Sequence, residues 1–306
     1  MGEAAVTRGV CGAGEATADS GAISYGPFLR YQNQKHFASL DGMRCFAVLA
    51  VLWHHAGLRP MVEPRILSRG FLAVDLFFVL SGFLIVTLLL RERARSGTIA
   101  LSAFYVRRTL RIFPPYYALL LVLGVGYLCF AGGHAQAEKF FGVLPVYVLY
   151  LSNLLAHTSQ AMFLAPTWSL ACEEQFYLVW PAVEKFLGRW WWCVAGAFLL
   201  ATHLFLLNIV DPSLLGAGWD AKSFKLAVPF RAILLGTALA HLLHHPASFR
   251  IIHLSLSARW APPALLVSLL VLLQFLPLDL SGSVYLLVHL AMALLLASLV
   301  VREDHM

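Results

Sequence analysis

Charge is what this 306-residue sequence has least of. Asp, Glu, Lys and Arg together make up 12% of it, and Asp plus Glu number only 16. Soluble domains carry about 25% charged residues. A water-facing globule could not hide the remainder, which is 60% hydrophobic with a mean hydropathy of +0.76. The bilayer is the natural solvent for such a chain. Cysteine is scarce too. Cys11, Cys45, Cys129, Cys172 and Cys193 show no CxxC or paired spacing, and those in apolar segments read as small hydrophobes. No basic stretch precedes an apolar h-region at the start, so no cleaved signal is expected and the first apolar segment is retained.

The net charge is +6 and the pI about 9.2. The basic residues cluster between apolar segments. That pattern points to topology and to anionic lipid or substrate rather than to nucleic acid.

Residues 1–36 are rich in Gly, Ala, Ser and Thr without periodicity, and read as a disordered cytoplasmic tail. Apolar segments then recur to the end. The expected fold is an all-α, polytopic transmembrane bundle of about 8–10 segments, in one domain over 37–306. The candidate spans are 42–58, 71–90, 116–131, 141–156, 168–187, 190–210, 224–243, 261–277 and 283–301. The loop holding Arg91, Arg93, Arg95, Arg107, Arg108 and Arg111 is expected on the cytoplasmic side, as are Lys185, Arg189, Arg250, Arg259 and Arg302. Arg59, Arg65 and Arg69 fall on the other side and run against the rule. Parity leaves 141–156 unable to cross fully, so it is expected as a re-entrant or interfacial segment. Trp190, Trp191 and Trp192 read as an interfacial belt.

Four stretches carry the chemistry. LDGMRCFAVLAVLWHHAG (40–57) puts Arg44 and His55 eleven residues apart, on one helix face and about 16 Å apart along the axis. FLAVDLFFVLSGFLIVTLLL holds one carboxylate, Asp75. An intramembrane Asp costs roughly 2.5–3.5 kcal/mol on insertion scales and therefore has a partner. The expectation is that Asp75 reaches the depth of His55 and orients it, so that the imidazole can act as a general base. In FYVRRTLRIFPPYY, Arg107 and Arg111 share a face with Arg108 beside them, suiting a phosphate clamp. Pro114 and Pro115 are expected to end that segment and begin another. In PTWSLACEEQFYLVWP, Ser169, Glu173 and Tyr177 fall on one face, with Glu174 and Gln175 beside it. The two adjacent acids need partners, among which Arg44, Arg231 or a substrate are candidates. Arg231, in PFRAILLGTALA, is the single base of its span and is expected to meet a buried carboxylate. His241, His244, His245 and His253 have no Asp, Glu or Cys nearby. No metal is expected there, and HLLHHPASFRIIH reads as a solvated cytoplasmic loop.

These segments, in this order, resemble the acyltransferase-3 family of bacterial integral-membrane O-acyltransferases, over residues 40–181 and more loosely to about 240. The resemblance implies transfer of an acyl group, acetyl or another short chain, from acyl-CoA to a hydroxyl of a carbohydrate or glycosylated acceptor. No cofactor is held permanently. It implies the bacterial cytoplasmic membrane with the N-terminus inside. Carried over by motif, the catalytic set is His55, Asp75, Arg44, Glu173 and Glu174. Arg107, Arg108 and Arg111 would bind the acyl-CoA phosphates, and Tyr177, Ser169 and Arg231 would bind substrate. The family continues into a late Ser-Tyr…Tyr-Leu-x-His-x-Pro element. SGSVYLLVH (281–289) is a faint echo of it, so the chain reads as C-terminally truncated. The rival readings are an inactive fragment or other non-catalytic membrane protein, and a polar-solute transporter. A transporter predicts paired broken helices in two repeated halves, and no such internal repeat is present.

Overall fold

The computed structural model describes residues 19–56, 65–130, 134–155, 163–164, 166–206, 228–276 and 282–302. They form helices and no strand: α1 (Asp19–Asn33), α2 (Ala38–His55), α3 (Arg65–Ser68), α4 (Ala73–Ser96), α5 (Leu101–Phe130), α6 (His134–Val148), α7 (Ser152–Leu155), α8 (Thr167–Leu187), α9 (Trp191–Leu206), α10 (Val228–His244), α11 (Pro246–Leu256), α12 (Ala261–Phe275) and α13 (Gly282–Val301). By length and composition, three helices here can cross a membrane: Gly70–Ser96, Leu101–Phe130 and Ser283–Val301. Counting each of two bent pairs as one span makes five. The longer count expected from sequence included α8, which carries four charged residues, and α10, which is only 17 residues long.

The centre of the bundle is the crossing of α4 and α10. A Cβ on Gly82 would lie 2.0 Å from the Ile233 carbonyl oxygen, and one on Gly236 would lie 2.0 Å from that of Val79. The two backbones therefore touch. Ala232, Gly236 and Ala240 repeat every fourth residue and give α10 a face of small side chains. In a lipid solvent this close van der Waals packing is what holds helices together. Phe78, Val79, Phe83, Val86, Ile233 and Val288 are fully buried around it, with α13 packed on the same centre. Gly70 meets the Ala50 carbonyl just as closely and sets the register of α2 on the start of α4.

Several expectations change. Residues 19–33 form α1 rather than a disordered tail, docked through Phe28 and Tyr31. Its aromatic side chains find a core that composition hides. Residues 1–18 lie outside the described set. Pro114 and Pro115 do not break α5, which runs through both on its exposed side. Residues 141–155, as expected, form no single span-length helix: α6 returns along α5, turns at Tyr150 (φ 54°), and α7 follows. The Tyr116 hydroxyl donates to the Tyr147 carbonyl at 2.8 Å, and Tyr116 stacks on Tyr150 with centroids 4.4 Å apart. Arg69, which ran against the positive-inside pattern, is buried and donates to the Leu273 and Leu276 carbonyls at the end of α12. Its charge serves a helix C-terminus. Arg59 lies outside the described residues.

The histidine-rich stretch is not a solvated loop. It is the end of α10 and all of α11. His241 bonds Glu184 at 2.7 Å, His244 lies 3.2 Å from the Tyr31 hydroxyl, and His253 stacks on Phe249.

Candidate active site

Two carboxylate clusters sit on α4 and its neighbours. The first centres on Glu173 of α8. Ser81 of α4 donates to Glu173 Oε1 at 2.8 Å, and Tyr177, one turn on, donates to Oε2 at 3.2 Å. Arg108 of α5 lies over the Tyr177 ring, 4.3 Å from its centroid. Arg108 and Arg44 of α2 both act on Glu173 electrostatically, and Arg108 acts on Glu174 as well. Four helices thus contribute one group each around a single acid. The Glu174 Oε1 atom is buried without a hydrogen-bond partner among the described residues. The site is not sealed: the Arg44 side chain is 42% exposed while it pairs with Asp41 at 2.8 Å. Arg107 and Arg111 are exposed beside it, Arg107 3.8 Å from Glu92.

The second cluster centres on Asp75, in the first turn of α4. His289 Nε2 of α13 lies 3.5 Å from Asp75 Oδ2. Arg231 of α10 and Tyr285 of α13 feel the same carboxylate. Arg231 and His289 are buried completely and Asp75 nearly so. Cys172, buried, is in electrostatic reach of both Asp75 and Glu173.

The expected pairing of Asp75 with His55 is not formed. Gly70 packed on Ala50, and His54 against Phe71 with centroids 5.6 Å apart, place the end of α2 one turn above Asp75. His55 is exposed and its Nδ1 lies 2.9 Å from the Val51 carbonyl oxygen. A carbonyl can only accept, so Nδ1 carries a proton and, in the neutral ring, Nε2 is the nitrogen with the lone pair. The backbone fixes the tautomer that Asp75 was expected to fix.

The other sequence candidates divide. Glu173, Tyr177, Arg44 and Arg108 come together. Ser169 turns back to the Pro166 carbonyl at 3.0 Å, away from the acid. The buried carboxylate that acts on Arg231 electrostatically is Asp75. Gln175 is structural, bonding Asn153 and the Tyr150 carbonyl on α7 and its turn. Sequence reasoning missed Ser81, Tyr285 and His289. The last two were in view, in the faint late element at 281–289.

A third acid was not singled out at all. Glu184 is completely buried, accepts from Trp180 Nε1 at 3.1 Å and meets His241 at 2.7 Å. Arg93 donates to its backbone carbonyl, and Trp191 stacks on His241 with centroids 3.8 Å apart. Among the described residues no group of three or more His, Cys, Asp or Glu side chains is arranged to hold a metal.

A family model described as an acyltransferase domain matches residues 37–305. A Staphylococcus aureus (strain COL) protein named "Putative O-acetyltransferase" is 34% identical over 162 residues, 51% of this chain and 26% of that protein. The peptidoglycan O-acetyltransferase OatA of Listeria monocytogenes serovar 1/2a is 31% identical over 211 residues, 63% of this chain and 33% of that protein. The chain therefore spans about a quarter to a third of the length of these relatives. No solved structure matches it. With the match running through α2, α4, α5, α8, α10 and α13, the helices that build both clusters, the chain belongs to the acyltransferase-3 family.

Proposed function

We propose that this protein is a membrane O-acyltransferase that moves an acetyl or other short acyl group from acyl-CoA to a hydroxyl of a carbohydrate or glycosylated acceptor. Family membership supports the reaction class, and the name of the Listeria relative, a peptidoglycan O-acetyltransferase, supports a carbohydrate acceptor. The observation that carries the reading is the Glu173 cluster. A carboxylate in an apolar helix is held by two hydroxyl donors, lies in the field of Arg108 and Arg44, and opens toward exposed arginines.

The donor's phosphates bind Arg107, Arg108 and Arg111 at the basic end of α5. Glu173 attracts Arg108, which rests on the Tyr177 ring, while Asp41 holds Arg44. The pantetheine arm carries the thioester up along α2, past Arg44. His55 Nε2 takes the acceptor hydroxyl's proton as the oxygen attacks the thioester carbonyl. The carbon–sulfur bond then breaks, and the thiolate leaves as CoA once it recovers a proton. Asp75 takes no part; it belongs to the sealed cluster with His289 and Arg231.

The test is His55→Ala in membranes carrying equal amounts of folded protein, with radiolabelled acetyl-CoA and an envelope glycan acceptor. Loss of a general base lowers transfer by about 10²–10⁴-fold. Unchanged transfer removes His55 from the reaction. Transfer from another donor, with none from acetyl-CoA, removes the donor assignment.

A further inference from the structure

We infer that α11 and the start of α12 form a docking surface for anionic phospholipid headgroups, independent of the transfer reaction.

Three observations lead there. The first is orientation. The α11–α12 pair is bent by 78°, and the α1–α2 pair by 60°. While α12 and α2 run along the bundle, α11 and α1 lie across its end. They pack on each other there, Phe28 against Phe249 with centroids 5.2 Å apart and Tyr31 against Phe249 at 5.5 Å. This is the basic end, for Arg91 donates to the Tyr31 and Gln34 carbonyls.

The second is the pattern of exposure on α11. Phe249 is buried inward against α1, while Ile251 and Leu254 on the opposite side are 66% and 72% exposed. Just beyond the helix, Trp260 is 67% exposed. A helix that lies crosswise, inserts one aromatic into the protein and turns Ile and Leu outward suits the plane where headgroups meet acyl chains. Exposed to water instead, those side chains would be costly.

The third is charge. Residues 246–276 contain Arg250 and Arg259 and no Asp or Glu. Both arginines are exposed. Arg259 lies over the Trp260 ring, 5.0 Å from its centroid, which aims the guanidinium at the depth where the indole sits. Arg189 over Trp190, at 5.3 Å, repeats the device at the turn between α8 and α9. Apolar side chains rimmed by cations, with no acid in the same stretch of sequence, match a leaflet of negative headgroups better than a zwitterionic one.

The experiment uses the purified full chain in nanodiscs of phosphatidylcholine with phosphatidylglycerol. Retained lipid is read by native mass spectrometry, and melting is followed in parallel. Phosphatidylglycerol should be retained over phosphatidylcholine and should raise the melting temperature, an effect that fades with salt. Each of Arg250→Gln and Arg259→Gln should weaken retention about fivefold, which is ~1 kcal/mol per charge near a surface. Arg250→Lys with Arg259→Lys should keep it. Equal retention of the two lipids overturns the inference. So does displacement of phosphatidylglycerol by free coenzyme A or inorganic phosphate, which would mark a soluble-phosphate site. Should the Gln variants fail to fold, the Lys pair and the salt titration of the unaltered chain still decide it.

Discussion

The clusters around Asp75 and Glu173 share a helix and a chemistry, yet they differ in closure. Asp75 lies 3.5 Å from His289 and in the field of Arg231, and all three are buried. Glu173 meets Ser81 and Tyr177 at hydrogen-bonding distance, with Arg108 and Arg44 next to it, and Arg44 stays open to the outside. A sealed ion pair cannot receive a substrate. It can fix the relative positions of α4, α10 and α13. An open one can exchange its partners for a ligand. Burial of charge in a membrane bundle is therefore not by itself a mark of catalysis, and exposure of the surrounding arginines separates the two uses.

The largest expected effect on the sealed side comes from Asp75→Asn. It removes the acid that His289 and Arg231 share and leaves a buried cation uncompensated, which costs about 3–5 kcal/mol. Thermal melting in detergent should fall accordingly. A variant that melts with the unaltered protein would show that the cluster is not structural. A smaller effect should follow from Gly236→Ala. The added Cβ meets the Val79 carbonyl, so α4 and α10 must separate, at about 1–3 kcal/mol. Melting should drop by a matching amount. A changed donor KM with unchanged melting would place that crossing in the donor site.

Much of this comparison was legible in the residues. The helix positions follow from apolar runs, and the acid of α8 with its arginines follows from charges that an apolar helix cannot leave alone. The pairing of His55 with Asp75 was not legible. It required the register of α2 on α4, which a single close approach at Gly70 shifts by a turn. His289 reaches Asp75 from the far end of the chain, through α10 and α13 packing that no local pattern encodes. Arg69 looked like a topology violation because its partners are carbonyls of α12, and backbone acceptors leave no trace in composition. The histidines of 241–253 looked solvated because Glu184, Tyr31 and Phe249 come to them from elsewhere in the sequence.

Acyl transfer per folded molecule in Glu173→Gln, set beside Asp75→Asn, tests the division most directly. Loss of the acid that attracts Arg108 should lower transfer by about 10²-fold with melting little changed. Asp75→Asn should instead melt early yet transfer at close to the unaltered rate in its folded fraction. Full activity in Glu173→Gln, with transfer abolished in well-folded Asp75→Asn, would contradict the account and move the chemistry to the sealed cluster.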